Sequence, residues 1–222
     1  MIELHVGAED DNEKFVIRKD RAIQHSKFIE KALDQKKGWK EAKEGIIRLP
    51  EDSPGSVEMF GVFIDTGHVH FVTGNRKQGD ETPESKTQED IWARLEDAWL
   101  LGERLLCPGF KDAVVDKLVN QLRRTDEMPT KMHKAIYKNS MGPSGMRRLL
   151  VDLTIFKCSA DKLREQNPDP ECVEFFLDVG VALKERVDGV APLSAPFGRA
   201  DVGCFYHDHV KNADCYKRMF EP

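Results

Sequence analysis

Residues 6–33, VGAEDDNEKFVIRKDRAIQHSKFIEKAL, and residues 39–54, WKEAKEGIIRLPEDSP, contain the pattern that decides the fold. An apolar segment ends at Gly7, an acidic run follows, and residues 15–17 resume an extended apolar pattern. Two extended segments on either side of a polar turn predict a β-hairpin.

The rest of this stretch predicts a helix and a third strand. Asp20 is a suitable helix cap, and residues 45–49 are extended and apolar until Pro50 ends them. Between them, four apolar side chains recur at helical spacing and predict one inner face: Phe28, Ile29, Ala32 and Leu33.

Three further helices are expected in the first 124 residues. Ser53 and Pro54 form a capped start for the first, which carries apolar residues at helical spacing as far as Gly67. Residues 91–106 and 110–122 have the strongest helical periodicity in the chain, and Pro108 and Gly109 separate them.

These residues resemble the BTB/POZ domain, in the form common in filamentous fungi. The resemblance covers about residues 1–124. It rests on VG before an acidic turn, F-x-I-x-K-D, HS-x-F-I-x-x-A-L, W-K-E-A-x-E-x-I-x-L-P-E-D and F-x-x-F-I-x-T-G, and on the later run LEDAWLLGERLLCPGFKD. Arg18 departs from the family pattern, which usually has a histidine there. The resemblance implies an α+β fold, with a small sheet of about three strands flanked by a helical cluster.

The resemblance also implies a function, which is dimerisation and the recruitment of protein partners. A subset of the family are adaptors that join substrates to a cullin scaffold of a ubiquitin ligase. The cullin surface would lie near residues 66–90, a polar insertion, and on the helices after it. The homodimer surface would lie on residues 20–33 and include Ile23, Ser26, Lys27, Phe28, Glu30 and Lys31.

The second half of the chain predicts an all-α extension over residues 125–187. Prolines stand near the starts of its helices, and Val173, Phe176, Leu177, Gly180 and Val181 predict an inner face for the last one. Residues 188–222 are expected to form a linker and a tail that contains cysteine and histidine.

Composition excludes several classes of protein. Hydrophobic residues make up 40% and charged residues 33% of the chain, and no apolar run is long enough to cross a membrane. The net charge of −5 argues against direct nucleic-acid binding. The chain has no catalytic motif of a known type, so we expect an intracellular protein, cytoplasmic or nuclear, that is not an enzyme.

Five scattered cysteines do not form a disulfide pattern, and Cys107, Cys158 and Cys172 are expected to be buried thiols. Four residues of the tail, Cys204, His207, His209 and Cys215, have the chemistry of a structural zinc site. One alternative is a tail that packs its aromatic residues on the helical region, with the histidines hydrogen-bonded or exposed. The corresponding alternative function is that of a zinc-stabilised regulatory or transcription-associated factor that acts through partners.

Overall fold

The computed structural model describes residues 1–8, 12–71, 87–140, 142–165, 172–199, 202–209 and 214–220. Among these residues, helices dominate and one sheet of three strands is present, so the predicted α+β class is confirmed. The chain divides into two compact units. Unit 1 comprises Met1–Val114 and His209–Pro222, and unit 2 comprises Val115–Asp208.

The sheet of unit 1 has the order β2-β1-β3. The predicted hairpin forms from β1 (Ile2–Val6) and β2 (Glu13–Ile17), which pair antiparallel, and β3 (Ile46–Leu49) pairs with β1 in parallel. Because side chains alternate along a strand, one face of the sheet is buried. Its buried residues are Ile2, Leu4, Val6, Ile17, Ile47 and Leu49.

The single helix expected after the hairpin is two helices, α1 (Lys19–His25) and α2 (Lys27–Ala32). The prediction that Asp20 caps the helix is wrong, because it lies in the first turn of α1, where its carboxylate accepts a hydrogen bond from Arg18 at 2.9 Å. The chain breaks at Ser26, which is extended and caps α2. The break turns Phe28 outward, with 37% of its surface exposed, whereas the other residues of the predicted face are buried.

A short helix, α3 (Lys40–Glu44), precedes β3 and was not predicted. The helix after β3, α4 (Pro54–Thr66), begins at its Ser53 cap and ends at Gly67, as the sequence predicts. Gly67 has a φ of +74°, a left-handed conformation that glycine adopts without steric cost.

Two long helices follow, α5 (Gln88–Arg104) and α6 (Pro108–Thr125). Thr87 and Asp90 form a reciprocal cap at the start of α5, which explains its sharp beginning. The apolar periodicity of both helices is confirmed except at Leu106, which is half exposed and has a φ of +49° in the turn between them. Residues 72–86, most of the predicted insertion, lie outside the described residues.

Unit 2 contains α7 (Met132–Asn139), α8 (Gly145–Lys157), α9 (Ala160–Glu165) and α10 (Val173–Val187). The inner face predicted for α10 is wrong. Phe175 and Val179 are its buried residues, whereas Leu177 is 63% exposed. Both faces of α10 carry apolar side chains, so spacing alone does not identify the buried one.

Arg147 of α8 joins three helices of unit 2. Its guanidinium donates hydrogen bonds to the side-chain and backbone oxygens of Ser140 and to the backbone oxygen of Tyr137, and it pairs with Glu174 of α10 at 2.7 Å. It also lies over the ring of Tyr137, 4.2 Å from the centroid. The arginine is 3% exposed, so these contacts compensate for its loss of hydration.

In the part of the chain that the structure describes, no helix combines the length and the apolar character that crossing a bilayer requires.

Candidate functional site

The residues of the predicted dimer surface lie on α1 and α2. Lys27, Phe28, Glu30 and Lys31 are exposed on α2, and Ile23 of α1 is half buried. Lys27 and Glu30 form an ion pair at 3.1 Å across one turn. Together the four exposed residues form a surface with one aromatic side chain among charged ones.

Ser26 differs from the rest of this set because it is completely buried. Its hydroxyl donates to the backbone oxygen of Leu105 at 2.6 Å and accepts from the backbone N–H of Ile29 at 3.1 Å. The second bond caps α2, and the first fastens the start of α2 to the end of α5. Ser26 therefore positions the exposed surface of α2 and does not itself face a partner.

The structure brings the four tail residues together, as the sequence predicts. One ligand atom from each of Cys204, His207, His209 and Cys215 lies within 4.8 Å of all the others. A tetrahedral zinc site with ordinary Zn–S and Zn–N bonds has ligand atoms about 3.3–3.8 Å apart. Closing the site requires side-chain shifts of about 1 Å, so the cluster can hold a metal ion.

A carboxylate from α6 holds the ring of His207. Its Nε2 lies 3.0 Å from a carboxylate oxygen of Asp116, and its side chain is 1% exposed. In zinc sites, a carboxylate that accepts from one ring nitrogen of a ligating histidine orients the ring so that the other nitrogen can bind the metal. Asp116 lies on α6, far away in sequence, and sequence reasoning missed it.

The turn that carries Cys204 and His207 is anchored within unit 2. The phenol of the buried Tyr206 donates to Asp152 at 2.7 Å, and burial together with that carboxylate raises the pKa of Tyr206. Arg148 donates to the backbone oxygen of His207 at 2.9 Å. The backbone of Tyr206 approaches Gly145 so closely that a Cβ there would lie 1.7 Å from its oxygen.

The end of the tail packs against unit 1. A five-residue 3₁₀ helix, Tyr216–Phe220, places the ring of Phe220 on that of His25, with centroids 5.0 Å apart and an angle of 6° between the planes. Phe63 of α4 contacts both Tyr216 and Phe220. The tail therefore has both predicted features, the cluster of cysteine and histidine and the packing of aromatic side chains. Phe205 is an exception, because it is half exposed.

The cysteines outside the cluster include two that are fully buried, Cys107 and Cys172. Burial raises the pKa of Cys107 to about 12, which keeps it an unreactive thiol. The prediction that Cys158 is buried is wrong, because it is partly exposed after the end of α8.

Comparison of the chain with models of known protein families and with curated protein sequences finds no match.

Proposed function

We propose that the chain is a protein–protein interaction module of the BTB/POZ type that forms a homodimer and recruits partners. The observation that carries the proposal is the exposed face of α2. There Phe28 and three charged residues point outward, while Ser26 fixes the helix to the end of α5. A rigid helix that presents an aromatic residue among charged neighbours has the composition of an interface anchor.

The order of elements in unit 1 also supports the proposal. A hairpin, helical residues and a third strand follow one another along the chain, and the three strands form a small sheet of the size that the resemblance implies. In this proposal unit 2 supplies further surface for partners, and a cullin scaffold is the partner that joins the module to ubiquitin transfer. Light scattering of the purified chain with a cullin amino-terminal domain tests that step by the mass of the complex.

Dimerisation is tested by the molar mass of the purified chain at micromolar concentration. The native chain should have twice the 25.3 kDa of a single copy, and Phe28→Glu should restore the single mass because it adds a charge at the centre of the contact. Leu183→Glu is the matched control, because Leu183 is 45% exposed on α10, outside the proposed surface. A native chain of 25.3 kDa would contradict the proposal.

We also propose that the tail cluster holds one structural Zn²⁺ ion. Two thiolates and two imidazoles match the ligands that zinc prefers, and four protein ligands leave no open position for a substrate. Elemental analysis should find one zinc per chain, lost in Cys204→Ser and kept in Cys158→Ser, whose thiol lies outside the cluster. Equal zinc contents in the two variants would contradict this assignment.

A further inference from the structure

Four residues of unit 1 form a surface that accepts aromatic rings: His25, Phe63, Gly67 and Gly109, here called the tail site. Phe220 stacks on His25 and meets the ring of Phe63 edge-on, with centroids 5.5 Å apart. Tyr216 lies 6.0 Å from Phe63, centroid to centroid, and is 8% exposed. Aromatic pairs in these geometries contribute about 0.5–1.5 kcal/mol beyond the area they bury.

The two glycines give the site its shape. A Cβ at Gly67 would lie 2.6 Å from the ring of Phe220, and a Cβ at Gly109 would lie 3.1 Å from the Cβ of Tyr216. The left-handed backbone at Gly67 is a reason for glycine by itself. Gly109, the second residue of α6, has no such conformation, so the close approach of Tyr216 is what its missing side chain permits.

The platform under Phe220 is an imidazole with an unsatisfied nitrogen. His25 is 8% exposed, and its Nε2 is buried with no hydrogen-bond partner in the described part of the chain. His25 therefore interacts with the tail through its ring face. The side chains between the two tail rings, Lys217 to Met219, are exposed, so the site recognises the rings and not the residues between them.

Covalent attachment keeps the tail close to this site. A segment held in the same chain binds at an effective concentration that reaches the millimolar range, so few contacts suffice to hold it. A separate segment with the same two rings makes the same contacts and competes when the tail is displaced. The site thus has the properties of a peptide-binding site with a built-in competitor.

We propose that the tail site binds partner segments that carry two aromatic side chains four residues apart, and that the chain's own Tyr216 and Phe220 compete with them. The proposal rests on the assignment of the chain as an interaction module, and it names the chemistry of a partner. Cys215, the residue before Tyr216, belongs to the zinc cluster. The residues that bind the metal and those that fill the tail site are therefore neighbours in the sequence.

The test uses the full chain and a fluorescein-labelled peptide with the sequence of residues 214–220, in which serine replaces the cysteine. Fluorescence anisotropy should show that Tyr216→Ser/Phe220→Ser binds the peptide at least tenfold more tightly than the native chain, because its competitor is gone. Adding Gly109→Ala to that variant should weaken binding again. A peptide with alanine at both ring positions should not bind.

Two results would overturn the proposal: no binding of the peptide by the emptied chain, or binding that Gly109→Ala leaves unchanged. If circular dichroism shows that the double variant is unfolded, Phe220→Leu replaces it, since leucine keeps apolar volume without the stacking ring. Repeating the titration with Phe28→Glu separates the two proposals. That substitution removes dimerisation but lies outside the tail site, so peptide binding should persist.

Discussion

Replacing Ser26 by alanine tests how much the hydrogen bond from its side chain to Leu105, at the end of α5, contributes to stability. The substitution removes a helix cap that contributes about 0.5–2 kcal/mol and a buried hydrogen bond that contributes about 0.5–1.5 kcal/mol. The backbone oxygen of Leu105 keeps a second donor, the N–H of Phe28 at 3.3 Å, so it is not left without a partner. We therefore expect a loss of about 2 kcal/mol in the unfolding free energy of unit 1.

Ser53→Ala is the matched control. Ser53 caps α4 by accepting from the N–H of Ser56, and within the described residues its hydroxyl makes no long-range hydrogen bond like that of Ser26. This control should therefore cost about 1 kcal/mol, the cap alone. The difference between the two variants, about 1 kcal/mol, measures the bond from Ser26 to Leu105.

Denaturant unfolding followed by tryptophan fluorescence is the appropriate assay, because all three tryptophans, Trp39, Trp92 and Trp99, belong to unit 1. In a thermal melt, 2 kcal/mol corresponds to a fall of about 4–8 °C for a chain of this size. Equal unfolding free energies for Ser26→Ala and Ser53→Ala would show that the hydrogen bond from the Ser26 hydroxyl to Leu105 does not contribute to stability, contrary to this prediction.

Four other substitutions test unit 2 and two titratable groups of unit 1. Gly145→Ala places a Cβ 1.7 Å from the oxygen of Tyr206 and should lower the unfolding free energy by at least about 3 kcal/mol, followed by circular dichroism. Its control is Gly180→Ala, in open space on α10, which should raise the unfolding free energy by about 0.5–1 kcal/mol. Burial lowers the pKa of His25, so the unfolded chain binds the proton first and stability falls as the pH drops below 6.5. His25→Phe should reduce that loss in denaturant titrations from pH 7 to pH 5. Burial raises the pKa of Glu96 from 4.5 to about 7. The folded chain therefore holds this proton more tightly than the unfolded chain, and the stability that the proton provides is lost as the pH rises through that range. Glu96→Gln should therefore stabilise at pH 8 and not at pH 4, and no difference between the two pH values would contradict the assignment.

Local signals predicted the strands and most helices of unit 1 correctly. The Ser53 cap and the periodicity of α5 and α6 depend on residues close in sequence, which is why they can be found without a structure. The break between α1 and α2 depends on a partner of Ser26 that lies 79 residues away. No pattern within residues 19–33 contains that information.

In the candidate metal site, too, the features that are local in sequence could be predicted and the contacts between distant segments could not. Its four ligands lie in one short segment and could be predicted from their chemistry alone. The carboxylate of Asp116, 91 residues from His207, could not, and neither could the pairing of Tyr206 with Asp152. The sequence also gave no reason to connect His25 with Phe220, because aromatic packing between distant segments has no fixed spacing.

The contacts of Arg147 have a consequence for how this chain can diverge. Its guanidinium donates to oxygens of Ser140, Tyr137 and Glu174 and also lies over the ring of Tyr137. Lysine has neither the number of N–H groups nor the planar shape to replace it. In a relative without this arginine, the buried oxygens of Ser140 and Tyr137 lose a donor, which favours compensating changes at the positions that Arg147 contacts. We therefore expect these four positions to co-vary as a set among homologous sequences, which makes them a marker for recognising distant members whose tails have diverged.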